Sequence, residues 1–190
     1  MKTVTMSRKA MMQIAMIASL VLGCEGAANR PAPVELVATV AQELNVFDLA
    51  DTECGVIGFV ELRNVVKQPD ITADARFLDI IVKTYRVSYR RTDGGTLVPA
   101  PITQNLSLLV PTGGEATSIG SFQAFEPAAL SLAPFAALRP QNGGIDPETG
   151  RRTIGMDLIL EFFGETLSGE DVYARADVGL TFCIGCGGCR

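Results

Sequence analysis

The sequence predicts an all-β domain: an antiparallel β-sandwich of the immunoglobulin-like kind, with at most one short helix. Three observations lead to this prediction. About six to eight segments rich in β-branched and apolar residues are separated by Gly, Pro, Asn and Asp turn signals. Residues 171–182 alternate strictly between apolar and other residues, which is typical of a strand with one buried face. No repeated β-helix-β unit is present, so we do not expect a parallel sheet.

The first 23 residues have the order of an export signal. Basic residues open the chain, and an apolar run that is short for a membrane span follows at residues 10–22. The run ends in Val21-Leu22-Gly23-Cys24, which resembles the lipobox, the cleavage and lipidation signal of bacterial lipoprotein precursors. The resemblance implies that residues 1–23 form a lipoprotein signal peptide. It also implies that acylated Cys24 anchors the mature chain in a lipid bilayer.

The remaining chain divides into a tether and one domain. Residues 24–33 are small and polar with two prolines, as in a flexible spacer, and residues 34–190 form a single β-sandwich domain with a cysteine-rich tail. Glu25 stands directly after Cys24, where an Asp in such lipoproteins commonly signals retention in the inner membrane. We therefore expect a cell-envelope protein on the outer membrane rather than the inner membrane.

The composition excludes several classes of function. The sequence has no histidine, which removes Ser-His-Asp and Cys-His catalysis, His-ligated zinc and C-x-x-C-H haem attachment. The formal charge of −5 becomes −8 once the signal's only charged residues, Lys2, Arg8 and Lys9, are removed. An acidic domain without a basic cluster is not expected to bind nucleic acid or to dock on anionic lipid by charge. We predict no catalytic residues and a protein that is not an enzyme.

The first half of the domain contains one ambiguous segment and two strong strands. Residues 34–46 are compatible with a strand or a short helix. Residues 55–66 predict a strand with Gly58 as a candidate bulge, and residues 77–91 predict the strongest strand of the chain. Asp93-Gly94-Gly95 then predicts a turn.

The second half ends in the clearest local pattern. Before it, Val98-Pro99-Ala100-Pro101 is extended and unsuited to an internal strand. Strands are predicted at 106–110 and 117–125. Residues 127–138 predict one helix or a covering loop, interrupted by Pro134. A long polar loop follows at 140–152. Residues 153–163 and 171–182 then predict a β-hairpin through the polar connection 164–170.

This layout resembles uncharacterised bacterial envelope lipoproteins. The shared features are the run YRVSYRRTDGG at 85–95, the VPAP segment at 98–101 and a late, glycine-marked hairpin at 164–182. The resemblance covers most of the predicted mature chain. It implies a location and no activity.

Four cysteines remain outside the signal, and they are the main candidates for chemistry. Cys183, Cys186 and Cys189 form a C-x-x-C-x-x-C run at the end of the chain, and Cys54 lies far upstream. Four thiols suffice for a Cys₄ zinc site or an iron–sulfur cluster. In an oxidising compartment they favour two disulfides, with three connectivities open. A bridge from Cys54 to the tail would pin the tail to the sandwich, and the other two cysteines would close a small loop.

Weaker signals have simpler explanations. Asp157 and Glu161 share one strand face and mimic an acid/base pair, but acids at even spacing are typical of a solvated face. Asp146-Pro147-Glu148 offers oxygens for calcium but lacks the usual ligand density. Two tyrosines and three arginines within residues 85–91 predict a patch that binds an anion or a partner protein. Alternatively, these arginines protect an edge strand from aggregation. The residues of this group are Tyr85, Arg86, Tyr89, Arg90 and Arg91.

Two hypotheses of function follow. The first is a non-catalytic, membrane-anchored binding or structural module that presents loops or a sheet edge to another envelope protein, with no cofactor. The second is a zinc-binding or redox protein that uses Cys54, Cys183, Cys186 and Cys189.

Overall fold

Most of the secondary structure in the described part of the chain is β-strand. The computed structural model describes residues 32–40, 46–50, 56–57, 60–67, 75–119 and 122–187. Within these ranges no helical segment is longer than five residues, so the prediction of an all-β chain is confirmed. The predicted signal peptide, the lipobox, most of the tether, Cys54 and Cys189 lie outside the described residues.

The strands are numbered in chain order. They are β1 (Val34–Val40), β2 (Val46–Asp48), β3 (Val56–Ile57), β4 (Val60–Val66), β5 (Ile80–Arg91), β6 (Ile102–Val110), β7 (Thr117–Ile119), β8 (Phe122–Gln123), β9 (Ile154–Thr166) and β10 (Asp171–Cys183). Short 3₁₀ turns cover Arg76–Leu78, Pro127–Ser131, Phe135–Leu138 and Pro140–Asn142.

The larger sheet has five strands in the order β2-β10-β9-β5-β6. The predicted hairpin is confirmed: β9 and β10 pair antiparallel from Glu165 opposite Asp171 to Ile154 opposite Phe182. The alternation of β10 buries Val172, Ala174, Val178, Leu180 and Phe182, because a pleated strand directs every second side chain to the core. The short β2 pairs with β10 in parallel.

The smaller sheets contain the strands of two segments that the sequence predicts. A three-stranded sheet has the order β1-β4-β7, and β3 pairs with β8 in a two-stranded sheet. The segments 55–66 and 117–125, each predicted as one strand, pair with one another in a single antiparallel register, with Val60 opposite Ile119 and Ile57 opposite Phe122, on either side of residues that lie outside the described ranges. At the ambiguous segment 34–46, residues 34–40 form a strand.

One hydrophobic core contains buried residues from both larger sheets, including Val34 and Leu62 of the three-stranded sheet and Leu160 and Phe162 of the five-stranded sheet. Strand β5 departs from simple alternation, since its register shifts between Val82 and Thr84 against both neighbours. Val82 and Tyr85 are therefore both buried while Lys83 is exposed.

The segment 127–138 is a covering loop and not an α-helix. It contains two 3₁₀ turns separated by Pro134, and Phe135 and Leu138 anchor it in the core. Residues 98–101 are extended and join no sheet, as their prolines predict. Within the described ranges, no helix is long and apolar enough to span a membrane.

Candidate functional site

The cysteine tail begins where β10 ends. Cys183 and Cys186 are at disulfide-bonding distance and close a small loop, with Cα atoms 6.1 Å apart, a normal separation for a disulfide. This pair agrees with the small loop expected from the sequence. Its partners in the predicted four-cysteine set, Cys54 and Cys189, lie outside the described residues, so that set as a whole stays a prediction. Among the described residues, no group of three or more Asp, Glu, Cys or His side chains is placed to hold a metal ion.

Asp48 holds this loop against the sheet. Asp48 lies opposite Cys183 in the parallel β2–β10 pair, and it is buried. Its carboxylate accepts hydrogen bonds from the backbone N–H groups of Gly185 at 2.9 Å and Gly187 at 3.2 Å. Because a buried carboxylate must be satisfied by donors, the loop and Asp48 stabilise one another. Nothing in the local sequence around Asp48 indicates this role.

A second charged cluster lies between the end of β5 and the 140–152 loop. The Arg91 side chain is only 1% exposed and donates from Nε and Nη2 to Asp93 at 2.8 Å. Arg91 Nη2 also donates to Asp146 Oδ2 at 2.6 Å, and that aspartate is equally buried. The second oxygen of Asp146, Oδ1, is buried without a hydrogen-bond partner among the described residues. Asp146 thus forms a buried ion pair with Arg91.

Hydrogen bonds to these carboxylates outweigh the effect of their burial. Burial by itself raises the pKa of Asp93, but bonds from Arg91 and from the N–H groups of Gly155 and Gly95 lower that pKa to about 2. Burial likewise opposes the shift at Asp146, where the Thr149 hydroxyl and Arg91 lower the pKa. Both groups are thus held ionised, as in a structural cluster that fastens a loop to the sheet.

The patch of arginines and tyrosines predicted from 85–91 is divided between two faces of β5. Tyr85, Tyr89 and Arg91 face inward, and Tyr89 donates from its hydroxyl to the carbonyl of Ala124 at 2.7 Å. Arg86 and Arg90 face outward. β5 lies between β9 and β6, so the interpretation of these arginines as edge protection is wrong.

Asp157 and Glu161 lie on the outward face of the five-stranded sheet, as predicted. Asp157 pairs with Arg90 at 2.6 Å, and Glu161 accepts a hydrogen bond from the Tyr173 hydroxyl at 3.1 Å. Each carboxylate thus has its own partner on a solvated face. This arrangement agrees with the simpler reading of the two acids.

The same face carries two neighbouring exposed aromatic side chains. Phe163 of β9 and Tyr173 of β10 are directly opposite in register, with ring centroids 5.4 Å apart, and they are 39% and 48% exposed. Arg86 lies across from Glu161 in the next row and makes no ion pair with any described residue. We call Arg86, Glu161, Phe163, Tyr173 and Arg175 the aromatic face.

Among the described residues, the three-stranded sheet has no counterpart to the aromatic face. Strands β1, β4 and β7 contain no aromatic residue, and their exposed positions include Glu35, Thr39 and Arg63. The sequence indicated the outward orientation of Tyr173 through the alternation of β10. It did not indicate that Phe163 would join it, because β9 is apolar on both faces.

No protein-family model matches the chain, and no curated protein or solved structure is significantly similar to it.

Proposed function

We propose that this chain is a lipid-anchored lipoprotein of the cell envelope that binds another envelope protein and catalyses no reaction. The observation that carries the binding role is the aromatic face, with its exposed pair of rings beside Arg86. Tyr, Phe and Arg are enriched in protein interfaces, and a few such residues supply most of the binding energy. Isolated exposed apolar residues are common, but two rings in contact on adjacent strands form a contiguous anchor.

The polar surroundings of the rings suit a reversible interface. Arg175 pairs with Asp177 at 2.8 Å, and Lys83 pairs with Glu165 at 2.6 Å, all on partly exposed side chains. Exposed pairs of this kind contribute little to stability but fix the charge pattern that a partner meets. A partner for this face would offer an apolar side chain to the rings and a carboxylate to Arg86.

The membrane anchor is proposed from the lipobox and Cys24. Strand β1 begins at Val34, so nine residues lie between it and Cys24. Fully extended, the ten Cα-to-Cα steps from Cys24 to Val34 would span at most about 35 Å. This reach lets the domain stand clear of lipid headgroups. We place the protein on the outer membrane because Glu25, and not an aspartate, follows Cys24.

We further propose that the two larger sheets form an immunoglobulin-like sandwich. The order β1-β4-β7 corresponds to the A-B-E strands of such folds, and β10-β9-β5 corresponds to G-F-C. The shared core supports the face-to-face packing of the sheets. In this arrangement the aromatic face lies on the outside of the G-F-C sheet.

The pairing of Cys183 with Cys186 supports structural disulfides over the zinc or redox alternative. We propose that Cys54 and Cys189 pair as well. Thiol titration of the exported protein with and without reductant, together with metal analysis, tests this assignment. No free thiol and no metal is the expected result, whereas four free thiols with about one zinc would establish the alternative.

The anchor is tested by replacing Cys24 with Ala. We expect the wild type to remain with membranes after a carbonate wash and Cys24→Ala to be uncleaved or released as a soluble exported form. Retention of the variant on washed membranes would rule out the lipoprotein assignment.

The binding role is tested by placing a photo-crosslinking amino acid at Phe163 in living cells, with Thr181 on the same sheet face as control. A protein adduct specific to position 163 is expected, and equal adducts at both positions would contradict the role of the aromatic face.

A further inference from the structure

Strand β6 is an open edge of the five-stranded sheet. β6 runs for nine residues from Ile102 to Val110 and pairs with β5 on one side only. Apart from its pairing with β5, the main chain of β6 accepts one hydrogen bond from the described residues. The Asn64 side chain donates it to the carbonyl of Val110, the last residue of the strand. A row of free N–H and C=O groups is a template for another strand.

This edge lacks the charged residues and prolines that normally prevent strand addition. The sequence ITQNLSLLV contains no charged residue, no proline and no glycine. More and less exposed positions alternate along it, and its register with β5 shifts once, between Asn105 and Leu108. Proteins usually protect a long edge with lysines, prolines, bulges or short length. By comparison, β2 and β7 have three residues each, and β1 carries the exposed Glu35.

We propose that β6 is a homodimerisation edge, at which two copies of this chain pair β6 antiparallel across a two-fold axis. The result is a continuous ten-stranded sheet, since each copy contributes five strands. An antiparallel pair of identical strands is self-complementary, as a two-fold interface requires.

The choice of a second copy rests on charge. The chain has a formal charge of −5, so most surfaces of two copies repel one another weakly. Self-pairing of β6 opposes no like charges, because the strand has none. A two-fold axis through Leu106 sets Asn105 opposite Ser107, two small polar side chains that are both exposed in the single chain.

The dimer deepens the proposed function, and this part of the inference rests on it. Joining the sheets at β6 places two aromatic faces on one continuous surface, so a partner with two matching sites would bind with avidity. Anchoring both copies in one membrane also raises their effective concentration. The edge contact itself depends on neither the partner nor the lipid.

The test uses the full lipidated protein, purified from membranes in detergent. Detergent-corrected light scattering over roughly a hundredfold range of protein concentration should show a monomer–dimer equilibrium. Hydrogen exchange should show amides of residues 103–109 that are protected at high concentration and exchange fast at low concentration. A monomer at every concentration would overturn the proposal. So would a dimer whose β6 amides exchange equally fast throughout.

Charge variants give a second, independent measurement. Asn105→Lys combined with Ser107→Lys puts lysines opposite one another in the dimer, and we expect dimerisation to weaken at least about tenfold. Thr39→Lys combined with Thr181→Lys adds the same charge at exposed strand positions away from β6 and should dimerise like the wild type. Equal weakening in both pairs would contradict the assignment to β6. Dimerisation is measured without any partner, so its failure leaves the photo-crosslinking test of the binding role intact.

Discussion

Two neighbouring arginines give the sharpest test of how this fold is held together. Arg91 is buried between Asp93 and Asp146, while Arg90, the residue before it, is 60% exposed and pairs with Asp157 on the outer face. Replacing each with Met keeps most of the apolar stem and removes the charge. The same substitution in adjacent positions therefore separates a buried ion pair from an exposed one.

The expected cost of Arg91→Met is about 3 kcal/mol of unfolding free energy. Removing one partner of a buried ion pair typically costs about 3–5 kcal/mol, because it leaves an uncompensated charge. Here Asp93 keeps the N–H groups of Gly95 and Gly155, and Asp146 keeps the Thr149 hydroxyl, so the lower end applies. Arg90→Met should cost less than about 1 kcal/mol, as exposed pairs do.

The assay is urea unfolding followed by circular dichroism at pH 7, with the slope checked for each variant. In thermal melts, Arg91→Met should lower the midpoint by about 6–12 °C. If Arg91→Met and Arg90→Met differ by less than about 1 kcal/mol, the buried cluster does not stabilise the fold as argued.

The pH dependence follows from the pKa of Asp93, which is lowered from 3.8 to about 2 in the folded chain. A depressed pKa supplies stability that is fully present above pH 3.8 and is lost as the pH falls through about 2. The difference in unfolding free energy between the wild type and Arg91→Met should therefore decrease below pH 4. A difference that increases in acid would contradict the assignment.

Three further predictions concern single contacts. A Cβ at Gly164 would lie 2.5 Å from the Ile81 carbonyl oxygen, so Gly164→Ala should lower the unfolding free energy, measured in urea, by more than about 2 kcal/mol. As a control, a Cβ at Gly179 has its nearest contact at 3.7 Å, so Gly179→Ala should leave the unfolding free energy unchanged within about 0.5 kcal/mol. Tyr89→Phe leaves the Ala124 carbonyl without its donor and should cost about 1 kcal/mol, while Tyr173→Phe on the surface should cost almost nothing; equal costs would contradict the burial argument. Asp48→Asn should speed hydrogen exchange at Gly185 and Gly187, and unchanged exchange would show that the carboxylate does not hold the cysteine loop.

The sequence was most informative for a strand with one buried face and one solvent-exposed face. β10 alternates cleanly, so its core residues and its hairpin with β9 could be predicted. The segments 55–66 and 117–125 could be predicted as strands from their β-propensity, but composition does not report the pairing partner. They pair with one another, a contact that the fold makes between residues far apart in the chain.

The candidate site was less predictable for the same reason. Arg90 and Arg91 are the same residue type, so the sequence does not show which of them is buried. The buried partner of Arg91 is Asp146, 55 residues later in the chain. The role of Asp48 likewise depends on Gly185 and Gly187, far along the sequence. By contrast, the spacing of the tail cysteines indicated a small loop, and the structure shows that Cys183 and Cys186 close it.

The most direct test of the proposed function is an affinity capture from native membranes with the lipidated protein as bait. Wild type and Thr181→Ala should capture the same envelope protein. The double variant Phe163→Ala with Tyr173→Ala should lose it, since the two exposed rings are the proposed anchor. The variant must first match the wild type in its unfolding midpoint. An unchanged set of captured proteins across all three baits would contradict the account of this chain as a membrane-anchored module that binds through its aromatic face.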